Sequence, residues 1–203
     1  RYFDLAYTYA ARLDKPVLIL TAGLMGSGKS YQARDLAWRL GAEIIRTDVL
    51  RKALFDIKAT ERRYEHFGAG IYSDDISRLV YEKALALAEQ KMKQGKTVII
   101  DASFKKRAER LRALALAEKL QIRFFVLECV CPDDVTQKRL EKRVLDNDNV
   151  SDGRWELFQK QKIDFETIDE IAADCRFKID TSVKPEIDRQ DIIRKIKMEE
   201  FLP

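Results

Sequence analysis

Gly23-Leu24-Met25-Gly26-Ser27-Gly28-Lys29-Ser30 decides how this chain is read. The stretch satisfies G-x-x-x-x-G-K-[ST], a phosphate-binding loop, and its flanks supply the context that the pattern needs. Upstream, Pro16-Val17-Leu18-Ile19-Leu20-Thr21-Ala22 is an apolar, β-branched run between a proline and a glycine, which predicts a strand over 16–22. Downstream, the pattern predicts a helix over 29–40, stopped by Gly41. Glycines let backbone N–H groups turn inward around a polyphosphate, and the start of a helix adds free N–H groups and a positive dipole end. ATP phosphates are therefore assigned to Gly23, Met25, Gly26, Ser27, Gly28, Lys29, Ser30 and Tyr31. Lys29 reaches the β- and γ-phosphates, and the Ser30 hydroxyl faces Mg2+. A chance glycine-rich turn would lack the strand and the helix.

Outward from the loop, short apolar runs alternate with helical patterns. Strands are predicted at 43–47, 97–100, 123–130 and 176–179, with Asp48 and Asp101 closing the first two. Helices are predicted at 49–55, 74–94, 105–120, 132–145, around Trp155 to Ile168, and at 185–200. In the helix over 74–94, Ile76, Leu79, Val80, Ala84, Leu87 and Ala88 share one face. In the helix over 105–120, Leu111, Leu114 and Ala115 are read as inward-facing. Asp146-Asn147-Asp148-Asn149 interrupts the pattern. Strands alternating with helices predict an α/β fold, a parallel five-stranded sheet covered on both faces. The aromatic stretch 1–13 is read as a helical appendage, so that 1–14 stands apart from a catalytic unit over 15–203.

Bulk properties bound the function without choosing it. At 203 residues and 46% hydrophobic content, the chain can bury a sizeable core. A net charge of +4 suits an anionic ligand but is too small and dispersed to imply nucleic acid alone. Three cysteines, Cys129, Cys131 and Cys175, give no disulfide framework and suggest a reducing, cytoplasmic setting. Cys129-x-Cys131 ends an apolar run, which favours buried thiols over a metal pair. No apolar run is long enough for a membrane span. The single histidine, His66, lies in a polar loop and is read as incidental.

Ligands of open α/β sheets bind at the carboxyl ends of strands, so the residues closing the strands come next. Asp101 ends Val98-Ile99-Ile100-Asp101, where a carboxylate beside a phosphate loop can hold Mg2+. The bland alternative is a cap for the following helix. Asp48 and Arg51 are one helical turn apart. The carboxylate suits a general base taking a proton from an attacking hydroxyl, and the guanidinium suits an anionic group. An N-cap and a surface ion pair would explain the same two residues. Arg139 and Arg143 lie four apart before the Asp/Asn-rich segment and suit a helical lid that stabilises the transferring phosphoryl group. A solvated basic face with Glu141 and Asp134 is the alternative.

The phosphate loop, Arg46-Thr47-Asp48-Val49-Leu50-Arg51-Lys52, Gly70-Ile71-Tyr72-Ser73, Ile100-Asp101-Ala102-Ser103-Phe104 and Arg139…Arg143…Ser151-Asp152 occur in that order. Together they resemble the P-loop kinases of the AAA-type ATP-binding family, over about residues 15–182. Such domains are often fused behind an aminoglycoside-phosphotransferase-like domain, and 1–13 resembles the last helix of that partner. Polynucleotide 5′-kinases, zeta toxins and gluconate kinases look like more distant relatives. The resemblance implies a P-loop NTPase three-layer sandwich with a helical lid. It implies an acceptor-hydroxyl role for Asp48 and Arg51, and lid roles for Arg139 and Arg143. Tyr31 and Gly153 depart from the Thr and Ala common in the family.

The expectation is thus an ATP- and Mg2+-dependent kinase. Lys29, Asp48, Arg51, Arg139 and Arg143 are its catalytic residues, and Ser30 and Asp101 its metal ligands. The acceptor is a hydroxyl-bearing small molecule. A nucleic-acid 5′-hydroxyl is the second choice, for want of an aromatic and basic strand-binding stripe. A non-catalytic nucleotide-binding module is the third.

Overall fold

The computed structural model describes Leu13 and residues 15–61, 66, 68–144, 153–183 and 186–198. The predicted helix over 1–13 lies outside them, save for Leu13, as does the segment 145–152 with Ser151 and Asp152.

Five strands form one parallel sheet: β1 (Val17–Ala22), β2 (Glu43–Arg46), β3 (Val98–Asp101), β4 (Arg123–Val130) and β5 (Arg176–Asp180), in the spatial order β2-β3-β1-β4-β5. Seven helices are described: α1 (Lys29–Leu40), α2 (Thr47–Ala53), α3 (Asp74–Met92), α4 (Arg107–Lys119), α5 (Asp133–Val144), α6 (Trp155–Asp164) and α7 (Glu186–Met198). The chain leaves β1 toward one edge and leaves β4 toward the other. The crevice between the ends of β1 and β4 is therefore the switch point at which such sheets bind ligands.

The expected three layers are present. Side chains alternate along each central strand and divide between two cores. Leu18, Leu20, Val98, Ile100, Phe124 and Val126 face one way, against Tyr81, Ala84, Ala88 and Met92 of α3 and Ala113 and Ala117 of α4. Val17, Ile19, Ile99, Phe125 and Leu127 face the other way, against Leu36 and Leu40 of α1 and Ile192 and Ile196 of α7. All six residues of β1 are buried. Each large apolar side chain there contributes about 1.5–3 kcal/mol, which anchors the strand that carries the loop.

Two expected helix faces are corrected. Leu79 and Leu111 are 46% and 41% exposed, so neither belongs to the core. In α3 the buried set is Val80, Tyr81, Ala84, Ala88 and Met92. In α4 it is Arg110, Ala113 and Ala117, one residue round from the predicted stripe. The rotation has a cause. Arg110 is fully buried and forms an ion pair with Glu170, also donating to the carbonyls of Phe104 (2.8 Å) and Thr167 (3.1 Å). A charge that brings its own partner can occupy a core position that hydrophobic patterning reserves for leucine.

Candidate functional site

β1 delivers the loop to the sheet's carboxyl edge, where the Gly23 N–H donates to the Ser103 carbonyl at 3.1 Å. Behind the loop there is no room. A Cβ on Gly23 would stand 2.3 Å from the Cys129 carbonyl oxygen. At the other end Gly28 takes φ 84° as the N-cap of α1, with no side-chain cap, and the first turn of α1 holds no acidic residue. The free N–H groups and positive dipole end of α1 thus remain for an anion. The Ser27 hydroxyl is buried and has no hydrogen-bond partner among the described residues. Such an orphan, beside a cradle of glycine backbone, fits a ligand rich in acceptor oxygens.

Lys29 sits within this cradle and donates from Nζ to the Leu24 carbonyl at 2.7 Å. Burial lowers its pKa from the ordinary value; the negative charges of Asp101 and Asp48 oppose that shift, and the positive charge of Arg143 adds to it. Asp48, Asp101 and Arg143, from three other elements, thus lie within electrostatic reach of Lys29. The same surroundings push the Cys129 thiol up to about 12, burial first, keeping it protonated at neutral pH.

Asp101 closes β3 opposite Arg46 of β2 in the parallel register. It is buried, accepts from the Thr21 hydroxyl at 3.4 Å and faces Arg46 Nε at 3.5 Å. One carboxylate and the Ser30 hydroxyl suit Mg2+, which keeps several waters and takes one or two protein ligands plus phosphate oxygens. Among the described residues there is no cluster of three or more His, Cys, Asp or Glu that would cage a metal. The donor set thus fits a metal that arrives with its nucleotide.

Asp48 lies in the first turn of α2, which begins at Thr47, two residues before the predicted helix and at the predicted end of the strand. Arg51, one turn on, is buried and turns toward α3. It donates to the Ile71 carbonyl (2.7 Å) and Ser77 Oγ (3.2 Å) and stacks 4.9 Å from the Tyr72 ring centroid, and its Nε has no partner. The ion pair with Asp48 that would account for both residues blandly is not among these contacts.

The two arginines of α5 part company. Arg143 lies within electrostatic reach of Lys29. Arg139, read above as a lid residue, contacts Thr181 and the loop. It donates to Thr181 Oγ1 (2.8 Å) and the Thr181 carbonyl (2.6 Å), and lies 3.5 Å from the Gly26 carbonyl. Thr181 in turn donates to the Ser27 carbonyl at 2.9 Å. Tyr31 projects outward, 57% exposed.

Two residues of this site escaped the sequence reading. Thr181 directly follows β5, one residue beyond Asp180, where the rule that singled out Asp48 and Asp101 would have stopped. Gln161 of α6 accepts from the Met25 N–H at 2.6 Å, and an ordinary glutamine in a polar helix carries no signal of that kind.

Residues 18–168 match the family model described as an AAA domain. An uncharacterised protein of Mycobacterium tuberculosis is 30% identical over 134 residues, which are 66% of this chain and 27% of that protein. The chain thus spans about a quarter of the length of the curated relatives it matches. The Mycobacterium tuberculosis APS kinase CysC in complex with AMPPNP and APS superposes with a TM-score of 0.63 at 17% identity, covering 90% of this chain and 98% of that one. A putative kinase from Chloroflexus aurantiacus gives 0.68 at 16% identity, covering 94% and 100%. With a parallel sheet ordered around β1, a glycine loop at its switch point and a match across most of its length, this chain belongs to the AAA-domain family and has the fold of the P-loop kinases.

Proposed function

We propose that the chain is an ATP-dependent phosphotransferase that moves the γ-phosphoryl group to a hydroxyl of a small-molecule acceptor. The observation that supports this reading is that Asp101, at the end of β3, and Asp48, in the first turn of α2, both lie within electrostatic reach of Lys29 in the loop. Binding alone would need only the lysine and the loop. A second carboxylate near the loop is what transfer needs.

The loop amides and Lys29 hold the polyphosphate, and the lysine neutralises charge on the β- and γ-oxygens. Asp48 accepts the proton of the acceptor hydroxyl as its oxygen attacks the γ-phosphorus. The bond to the bridging oxygen breaks, and ADP leaves with that electron pair. Mg2+, when bound, adds charge neutralisation between the β- and γ-phosphates; Ser30 and Asp101 would hold it. Arg51, held against Tyr72, orients the acceptor. Arg143 meets charge on the transferring group, while Arg139 keeps the loop in shape from behind.

Labelled Mg·ATP incubated with hydroxylated metabolites and 5′-hydroxyl oligonucleotides tests the reading, with Lys29→Met as the blank. Label transferred to a metabolite supports it. Transfer only to oligonucleotides would replace the acceptor class. Tight ATP binding with no transfer to any hydroxyl would favour a regulatory module instead.

A further inference from the structure

We propose that Gln161 is a positioning residue for the terminal phosphoryl group, selecting nucleoside triphosphate over diphosphate. The inference rests on the phosphotransferase reading above and adds a residue to it.

Three observations place Gln161. Its carbonyl oxygen accepts from the Met25 N–H at 2.6 Å, which fixes which end of the side-chain amide faces the loop. The contact is at the γ end of the cradle. Lys29 reaches β- and γ-phosphates in such loops, and here its ammonium rests on the carbonyl of Leu24, the residue just before Met25. Finally, α6 is pinned just beyond Gln161. Lys162 pairs with Asp133 of α5 at 2.7 Å, and Asp164 with Lys106 at 2.6 Å and with Lys105. The helix that carries Gln161 is thereby held against α5 and the segment that opens α4.

With its oxygen committed, the Gln161 Nε2 group presents two donors beside the cradle, and among the described residues it donates to none. A terminal phosphoryl group brings acceptor oxygens with nearly full negative charge to that end, whereas a diphosphate does not reach it. A neutral amide suits the task. It donates to the phosphoryl oxygens without adding a cation to the crowd of Lys29 and Arg143.

The decisive variant is Gln161→Glu. A carboxylate still accepts from the Met25 N–H, so any purely structural support of the loop survives, but both donors are replaced by a negative charge. Gln161→Leu removes the acceptor and the donors together. Calorimetric titration of Mg·ATP and Mg·ADP into the intact wild-type chain and both variants reads the effect. Gln161→Glu is expected to weaken ATP binding about tenfold or more, the loss of one hydrogen bond to a charged oxygen, and to weaken ADP binding less than about threefold. Gln161→Leu should fall between. Wild-type behaviour in Gln161→Glu, with equal loss of both nucleotides in Gln161→Leu, would make Gln161 a strut and overturn the proposal. Tighter ATP binding in both variants would make it a plug and overturn it equally. A wild-type chain that binds neither nucleotide would remove the phosphotransferase reading, and this inference with it.

Discussion

Replacing Arg110 with methionine tests what holds the segment after α6 against α4. Arg110 and Glu170 are side chains of 0% and 2% exposure, and the guanidinium also satisfies the carbonyls of Phe104 and Thr167. Phe104 has φ 40°, a conformation that a non-glycine residue keeps only when its neighbours enforce it. Tyr81 Oη accepts from its N–H at 3.2 Å, and Arg110 donates to its carbonyl. Removing one partner of such a buried pair strands the other's charge and costs about 3–5 kcal/mol. That is a large share of the roughly 5–15 kcal/mol that a domain has in total. In a chain of this size it corresponds to a fall in Tm of about 6–20 °C, measured by calorimetry. Arg110→Met with Glu170→Leu should recover most of the loss, because no charge is left unpaired. Burial alone would raise the Glu170 pKa, but the hydrogen bond and charge of Arg110 hold it below the ordinary 4.5. The stabilisation is therefore full above pH 4.5 and disappears as pH falls through the lower, folded-state value. That acid limb should be missing in the double variant. A fall of less than about 2 °C in Arg110→Met, or a double variant as unstable as both single changes combined, would refute the reasoning.

Other outcomes are equally specific. Lys29→Met should lower ATP-dependent turnover about a hundredfold or more while leaving Tm unchanged, as expected for a charge acting on the ligand; unchanged turnover would sink the loop assignment. Asp48→Asn should abolish transfer yet bind Mg·ATP normally by calorimetry, whereas Asp101→Asn should shift the Mg2+ requirement. Lost nucleotide affinity in Asp48→Asn would reverse these roles. Arg143→Ala should lower kcat more than it raises the KM for ATP. Arg139→Ala should instead lower Tm and weaken ADP and ATP alike, because its bonds are to Thr181 and the back of the loop. Identical kinetic behaviour of the two variants would return Arg139 to the mouth of the site.

The loop and its flanks were legible because their constraints are local. Glycines where the backbone must turn, an apolar β-branched run before them and a helix after them leave little choice. What was not legible lies in contacts distant along the chain. Arg110 reads as surface until Glu170, folded back against it, supplies the opposite charge. Asp48 reads as a strand terminus, yet Thr47 donates to the Asp101 carbonyl at 3.2 Å and opens α2 at that point. The spacing of Arg139 and Arg143 puts them on one side of a helix but does not say what Thr181 will offer the first of them. Gln161 is the extreme case, since its role depends wholly on the packing of α6 over a loop made more than a hundred residues earlier.

The bond from Thr181 to the Ser27 carbonyl spans 154 residues. It bears on the order in which a newly made chain acquires its parts. The loop leaves the ribosome 154 residues before the threonine that contacts it. Pairings so far apart in sequence form late, because a long stretch of chain must be ordered before they return any stability. At about 5–20 residues per second, the glycine loop therefore waits about 8–30 s for its backing to be made. Nucleotide cannot template the early stages of folding here. It can only reward a chain whose fifth strand has docked, so a product truncated before Thr181 should neither hold nucleotide nor be rescued by it.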